Sequence, residues 1–154
     1  EGKPPQHGRM LLLRPLAAVQ DSSRLAARIP QEFLALATTK EPWTGYAAFT
    51  ADGIAVGICA FKGAPTKMRV VEIAYMTFPE HEGRGYGATM ARSLFEIAAG
   101  SGEVVCVIAH TLREENASVR ICRRLGFSFE GEVDVPEDGL VWRWRKPTGL
   151  SNHL

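Results

Sequence analysis

Only three of the 154 residues are cysteine: Cys59, Cys106 and Cys122. Three thiols cannot all pair with one another. Each sits in an apolar stretch, and none forms a C-x-x-C pair. A disulfide scaffold is therefore excluded, and free thiols in a reducing compartment are expected. Long apolar runs are also missing. The longest, Val104 to Ala109 and Met10 to Leu13, have the length of strands, well short of the ~18 residues that cross a bilayer. Charge of one sign is scarce as well: 18 Lys and Arg against 17 Asp and Glu leave a formal net charge of +1. Nothing global draws such a chain onto nucleic acid or an anionic membrane, and neither is expected as a partner. No secretory signal precedes the polar stretch Glu1 to Arg9, so a cytoplasmic location is expected.

What remains is ordinary globular composition, with 45% hydrophobic and 23% charged residues. The length suits one domain. That domain is expected over residues 10–146, between flexible segments at 1–9 and 147–154. Met10 to Arg14 reads as a strand ended by Pro15. Leu16 to Ile29 is helical in composition, and Pro30 suits the first turn of a second helix through Phe33, Leu34 and Ala37. Asp52-Gly53 signals a hairpin between Tyr46–Phe49 and Ile54–Phe61, with Ile54, Val56 and Ile58 on one face. Val70 to Phe78 is a strand rich in β-branched and aromatic residues.

Gly83 to Gly87 is a glycine-dense loop. The helix after it carries Met90, Ala91, Leu94, Phe95 and Ala98 on one stripe and stops near Gly100. Val104 to Thr111 reads as a strand buried on both faces. A helix over Asn116 to Leu125 ends at Gly126. Two alternating strands close the chain, the first with Phe127, Phe129, Val133 and Val135 on one face, the second with Leu140, Trp142 and Trp144. The order predicts an α/β fold with a mixed, mostly antiparallel sheet. The strand–helix–strand step from Val70 to Thr111 is its parallel crossover.

The chemistry concentrates in the segment from Val70 to Ala88. Gly83, Gly85 and Gly87, at alternate positions, remove side chains where a ligand would approach the backbone. The loop opens into a helix N-terminus, whose free N–H groups and dipole favour anions. Arg84 adds a positive charge. The pattern suits a pyrophosphate cradle; a flexible glycine turn without a ligand is the plainer alternative. It is neither a P-loop, since no Lys-Ser/Thr follows, nor the G-x-G-x-x-G dinucleotide signature.

Glu82-Gly83-Arg84-Gly85-Tyr86-Gly87 resembles the acetyl-CoA loop of the GCN5-related N-acetyltransferases. A second segment is similar to the same family: Glu115-Asn116-Ala117-Ser118, then Arg120, then Leu125-Gly126-Phe127. The likeness spans about Leu11 to Lys146 and looks most like the branch containing the ribosomal-protein N-terminal acetyltransferases. It implies a sheet of about seven strands flanked by about four helices. The implied reaction moves an acetyl group from acetyl-CoA to a primary amine, a peptide N-terminus or a small molecule, by direct attack in a ternary complex without a metal. The implied assembly is a monomer or homodimer. Backbone groups of Met76 and Thr77 would pair with the pantetheine arm. The amides of Gly83, Arg84, Gly85, Tyr86, Gly87 and Ala88 would hold the pyrophosphate, and Asn116 would bond the cofactor. Glu82 stands where the family usually has Arg or Gln, so it is expected to point to solvent. A non-catalytic acyl-CoA-binding sensor is the alternative function.

Glu72 is a carboxylate in an apolar strand. It matches the strand glutamate that acts as general base in some family members; a structural carboxylate paired with an arginine is the other reading. His110, at the end of the buried strand, could relay a proton, or could simply bond backbone. Cys122 replaces a family tyrosine acid, leaving Tyr75 or water for that task. Cys106 and His110 are four residues apart on a strand, roughly 13 Å, too far for a Cys–His pair. Arg120, Arg123 and Arg124 are expected to form a solvated face, with one of them helping to bind a cofactor phosphate as the other reading. Trp43, Trp142 and Trp144 are expected to belong to the core rather than to a substrate box.

Overall fold

The computed structural model describes residues 10–19 and 23–151. The expectations about residues 1–9 and about the last three residues of the tail lie outside these. The chain runs β1 (Leu12–Pro15), α1 (Leu16–Val19), α2 (Ser23–Ala26), α3 (Gln31–Leu34), β2 (Gly45–Phe49), β3 (Ala55–Phe61), β4 (Val70–Thr77), α4 (Tyr86–Gly100), β5 (Cys106–Thr111), α5 (Ala117–Arg124), β6 (Ser128–Val135) and β7 (Gly139–Pro147). A 3-10 turn at Pro79–His81 joins β4 to the glycine loop. The seven strands form one sheet in the order β1-β2-β3-β4-β5-β7-β6. The β4–β5 pair alone is parallel, and the other neighbours are antiparallel. The expected mixed sheet and its crossover are present.

Two cores lie on the two faces. On one, α4 buries Met90, Ala91, Leu94 and Ala98 of the expected stripe, with Phe95 half-buried beside them. They pack with Phe61, Ile73, Val107, Val119 and Trp144. Burying a side chain the size of Met90 or Leu94 stabilises the fold by roughly 1.5–3 kcal/mol. On the other face Leu16, Val19, Leu25, Ile29 and Phe33 cover Ala47, Ile58, Ala60 and Phe78. The span Leu16 to Ile29 is not one helix: its described parts are the single turns α1 and α2. Trp43 and Trp144 are buried, and Trp142 is half-buried against the same core.

Two β-bulges alter the expected faces. Ala48 pairs with Gly57 but Phe49 with Ala55, so Val56 is an extra residue. It turns to the α4 side with Cys59 and Phe61, while Ile58 faces the other core and Ile54 is exposed. Glu130 is likewise extra opposite β7. Phe129 therefore joins Trp142 and Trp144, at ring distances of 5.6 and 5.3 Å, while Val133 pairs with Val141. An inserted residue reverses the alternation beyond it. At the far end β7 continues through Pro147, and Thr148 donates from its amide to the Val105 carbonyl at 3.0 Å.

Candidate active site

The eight-residue β4 pairs with β5 only over Val70 to Ile73, opposite Cys106 to Ala109. On its other edge β4 stays paired with β3 through Thr77. Beyond Ile73 the two parallel strands part. Lys62 N–H donates to the Glu72 carbonyl and Phe78 N–H to the Val56 carbonyl, both at 2.8 Å. The antiparallel pattern thus assigns the backbone groups of Glu72, Ala74, Met76 and Phe78 to β3. Those of Tyr75 and Thr77 face the gap. Of the expected pair Met76 and Thr77, only Thr77 presents free backbone groups there, because Met76 belongs to the Ile58 ladder position.

On the α4 side the gap opens into a cleft of about 830 Å³. Tyr75, Met76 and Thr77 line it from β4, Gly83, Gly85, Gly87 and Ala88 from the loop and α4, and Ser118, Arg120, Ile121 and Arg124 from α5. Gly83 and Gly85 hold φ values of 82° and 84°, a left-handed backbone that favours glycine. Gly87 has a different task. A Cβ there would lie 2.9 Å from Ile121 Cδ1, so its missing side chain lets α4 approach α5. The first helical bond of α4 runs from Thr89 N–H to the Gly85 carbonyl at 3.1 Å, and no side chain caps this end. The amides of Tyr86, Gly87 and Ala88 therefore have no helical acceptor and open toward the cleft.

Arg84 is exposed and outside the cleft lining, whereas Glu82 sits exposed on its rim. Asn116 is the N-cap of α5, its side-chain oxygen accepting from Val119 N–H at 2.9 Å. Asn116 itself is not among the residues that line the cleft, which begin on α5 with Ala117. The arginines divide. Arg123 is held by Glu115 through bonds of 2.6 and 2.9 Å, and the α5 ends with Gly126 at a φ of 88°. Arg120 and Arg124 line the cleft instead of forming a purely solvated face. Helical spacing of four residues places both on one side of α5, a signal already present in the sequence.

Glu72 and His110 do not line this cleft. They meet on the opposite face of the sheet, where the gap begins. His110 Nδ1 lies 2.8 Å from Glu72 Oε2. Arg143 Nε–H donates to His110 Nε2 at 3.0 Å, and Lys62 Nζ lies 3.5 Å from Glu72 Oε2. An arginine has only donors, so Nε2 must accept and Nδ1 must carry the proton. His110 is thus bonded by side chains on both nitrogens, not by backbone. The dyad marks the apex of the gap: Glu72 precedes the last β5-paired residue of β4, and His110 follows the last β4-paired residue of β5.

Across the gap the Tyr75 hydroxyl stands 3.8 Å from Cys122 Sγ. Burial pushes the Tyr75 hydroxyl far above its ordinary value and the Cys122 thiol up to about 11. Both are protonated at neutral pH. Cys59, Cys106 and Cys122 are all free and buried.

A parallel pair of strands parted beside an uncapped helix N-terminus, with basic residues on the facing helix, defines an acyl-CoA-type transferase architecture. Residues 9–128 match the family model described as an acetyltransferase (GNAT) domain. The chain belongs to that family and is by class an acyl-CoA-dependent N-acetyltransferase. No curated protein matches it. Among solved structures it is similar to the spermidine/spermine N-acetyltransferase SpeG from Vibrio cholerae, at 15% identity and a TM-score of 0.72 over 92% of this chain and 95% of that one. A spermidine N-acetyltransferase from Vibrio cholerae in complex with CoA and spermine gives 16%, 0.71, 92% and 97%. RimL, a ribosomal-protein alpha-N-acetyltransferase, gives 18%, 0.71, 90% and 94%.

Proposed function

We propose that this protein moves an acetyl group from acetyl-CoA to a primary amine, a peptide N-terminus or a small molecule, with Glu72 as the base. The observation that carries this reading is the β4–β5 gap with the Glu72–His110 pair at its apex. An extended arm lying in the gap from the α4 side would bring its tip to the carboxylate on the other side. The open backbone groups of Tyr75 and Thr77 would bond such an arm. The amides of Gly83 to Ala88, with Arg120 and Arg124, suit its phosphates. When bound, acetyl-CoA supplies an activated thioester.

The residues then divide the work. An α-amine with a pKa near ~8, or a lysine near ~10.4, arrives protonated at neutral pH and cannot attack. Glu72 takes that proton directly or through one water. His110 positions the carboxylate through its Nδ1–H, and Arg143 keeps the proton on that nitrogen. Its Nε2 lone pair is engaged, so His110 itself is not the acceptor. Tyr75 N–H, facing the gap, polarises the carbonyl under attack. The buried Tyr75 hydroxyl is a proton donor for the departing sulfur, which needs little help because a thiol has a pKa of only ~8.5. The Vibrio cholerae and RimL names nominate the first acceptors to try. CoA release should be measured with spermidine and with peptides bearing free N-termini. Tight acetyl-CoA binding without release on any amine would support a sensor instead.

A further inference from the structure

A second cavity, of about 620 Å³, lies on the face of the sheet opposite the cleft, between α1, α2 and the β2–β3 hairpin. Its floor is apolar, with Val19, Leu25, Phe49 and Phe78. Its rim carries three arginines, Arg14, Arg24 and Arg28. Arg28 stacks on the Phe78 ring at 4.0 Å and Arg14 on Phe49 at 5.9 Å, which holds two guanidinium groups over the floor. Among the described residues Glu80 is the one carboxylate bonded to any of the three; it takes a fork of two bonds from Arg28, one of 2.8 Å. Arg14 and Arg24 make no ion pair with a described carboxylate, so among the described residues the rim carries positive charge that a bound anion would relieve. The volume is that of a small-molecule site.

Thr77 lines the cleft, while the next residue, Phe78, lines this cavity. Glu72 shares the cavity's face, but six strand residues, roughly 20 Å, separate it from Phe78. The two sites are therefore separate.

We propose that this cavity binds a small amphiphilic anion, a carboxylate or phosphate head on an apolar body. The head would sit among Arg14, Arg24 and Arg28, competing with Glu80 for the last, and the body would lie on Phe49, Phe78 and Leu25. Phenyl phosphate, benzoate and inorganic phosphate test it on the full chain by amide chemical shifts. Phenyl phosphate should move the amides of Ala18, Gly53 and Ala55, and bind at least about tenfold tighter than inorganic phosphate because only it covers the floor. Benzoate against phenyl phosphate then tells which head is preferred. Arg24→Ala and Arg14→Ala change exposed side chains and should each weaken binding by about tenfold, as loss of a charge-assisted bond does. Arg92→Ala, removing the same charge from the exposed side of α4, should not. Saturating acetyl-CoA should leave these shifts in place. The proposal is overturned by absence of shifts at millimolar ligand, by unchanged affinity in both variants, or by shifts confined to residues 83–88 and displaced by acetyl-CoA.

Discussion

His110 holds Glu72 by a 2.8 Å contact across the only parallel strand pair of the described sheet. Parallel register sets Glu72 beside Ile108, and His110 lies two residues further on the same face. Its ring reaches back to the carboxylate from the side on which the strands diverge. Arg143, opposite His110 on β7, completes the line. The carboxylate is thus oriented by an imidazole whose other nitrogen is engaged, with Lys62 Nζ 3.5 Å away.

Arg143→Leu removes the donor to His110 Nε2. The imidazole is then free to exchange tautomers, so nothing holds its proton on the nitrogen that faces Glu72. Turnover should fall by about tenfold, one hydrogen bond's worth, with KM for acetyl-CoA unchanged. Unaltered turnover would make Arg143 a surface-packing residue only.

Arg120→Glu reverses a charge in the cleft without touching the core. KM for acetyl-CoA should rise by at least about tenfold at low salt, and the gap between variant and parent should narrow as salt screens the interaction. Gly87→Val should act differently. Its Cβ would press on Ile121 Cδ1 at 2.9 Å, so helix separation should lower Tm as well as affinity. A Gly87 variant with the parent's Tm and affinity would contradict the close α4–α5 approach.

Burial raises the Cys122 thiol to about 11 and the Tyr46 hydroxyl to about 12, and pushes Cys59 and Tyr75 up further. Each group keeps its proton to higher pH in the folded chain than in the unfolded one. The stability this gives is complete below the ordinary thiol value of 9.0. It is lost as pH rises from there through about 11, because the unfolded chain then binds fewer protons. Tm should therefore fall between pH 9 and 11, and less so in Cys122→Ala. At pH 8, below that range, iodoacetamide should modify three thiols in denatured protein and spare them in the native fold.

Phe61 is fully buried, with its ring edge-on to Trp43 at 5.0 Å. Phe61→Ala should cost about 3–5 kcal/mol, the range for an aromatic removed from a packed core. Urea denaturation would show this as a lower midpoint at an unchanged slope. A loss below 1 kcal/mol would mean that the α4-side core does not depend on this ring.

Strand order and the parallel crossover were legible in the sequence because each strand is bounded by Gly, Pro or Asp-Gly. The stripe on α4 was equally legible. Both bulges were not. An inserted residue such as Val56 or Glu130 has no composition of its own, and only the partner strand's length reveals it. The glycine loop was readable from Gly83 and Gly85, whose positive φ values favour glycine. Gly87 looked like a third of that kind, yet its reason is a neighbouring helix. Glu72 and His110 could each be singled out, but not as a pair, since they lie 38 positions apart and meet only through register. Arg143 carried no local signal, being one of two arginines alternating with tryptophans on a strand.

Glu72→Gln tests the chemistry most directly. Glutamine keeps the size, and its carbonyl can still accept from His110 Nδ1–H, so the line to Arg143 survives. What it loses is the ability to take a proton. Turnover at neutral pH should fall by roughly 10²–10⁴, the usual contribution of a positioned base. Acetyl-CoA affinity should not change, because the cleft lies on the other face of the sheet. Raising the pH toward the amine's own pKa should recover part of the rate, since the acceptor then arrives already deprotonated. The recovery should come at lower pH for a peptide N-terminus than for a lysine-like amine. Near-normal turnover at neutral pH, with acetyl-CoA saturating, would remove Glu72 from the reaction and leave water as the acceptor of the proton.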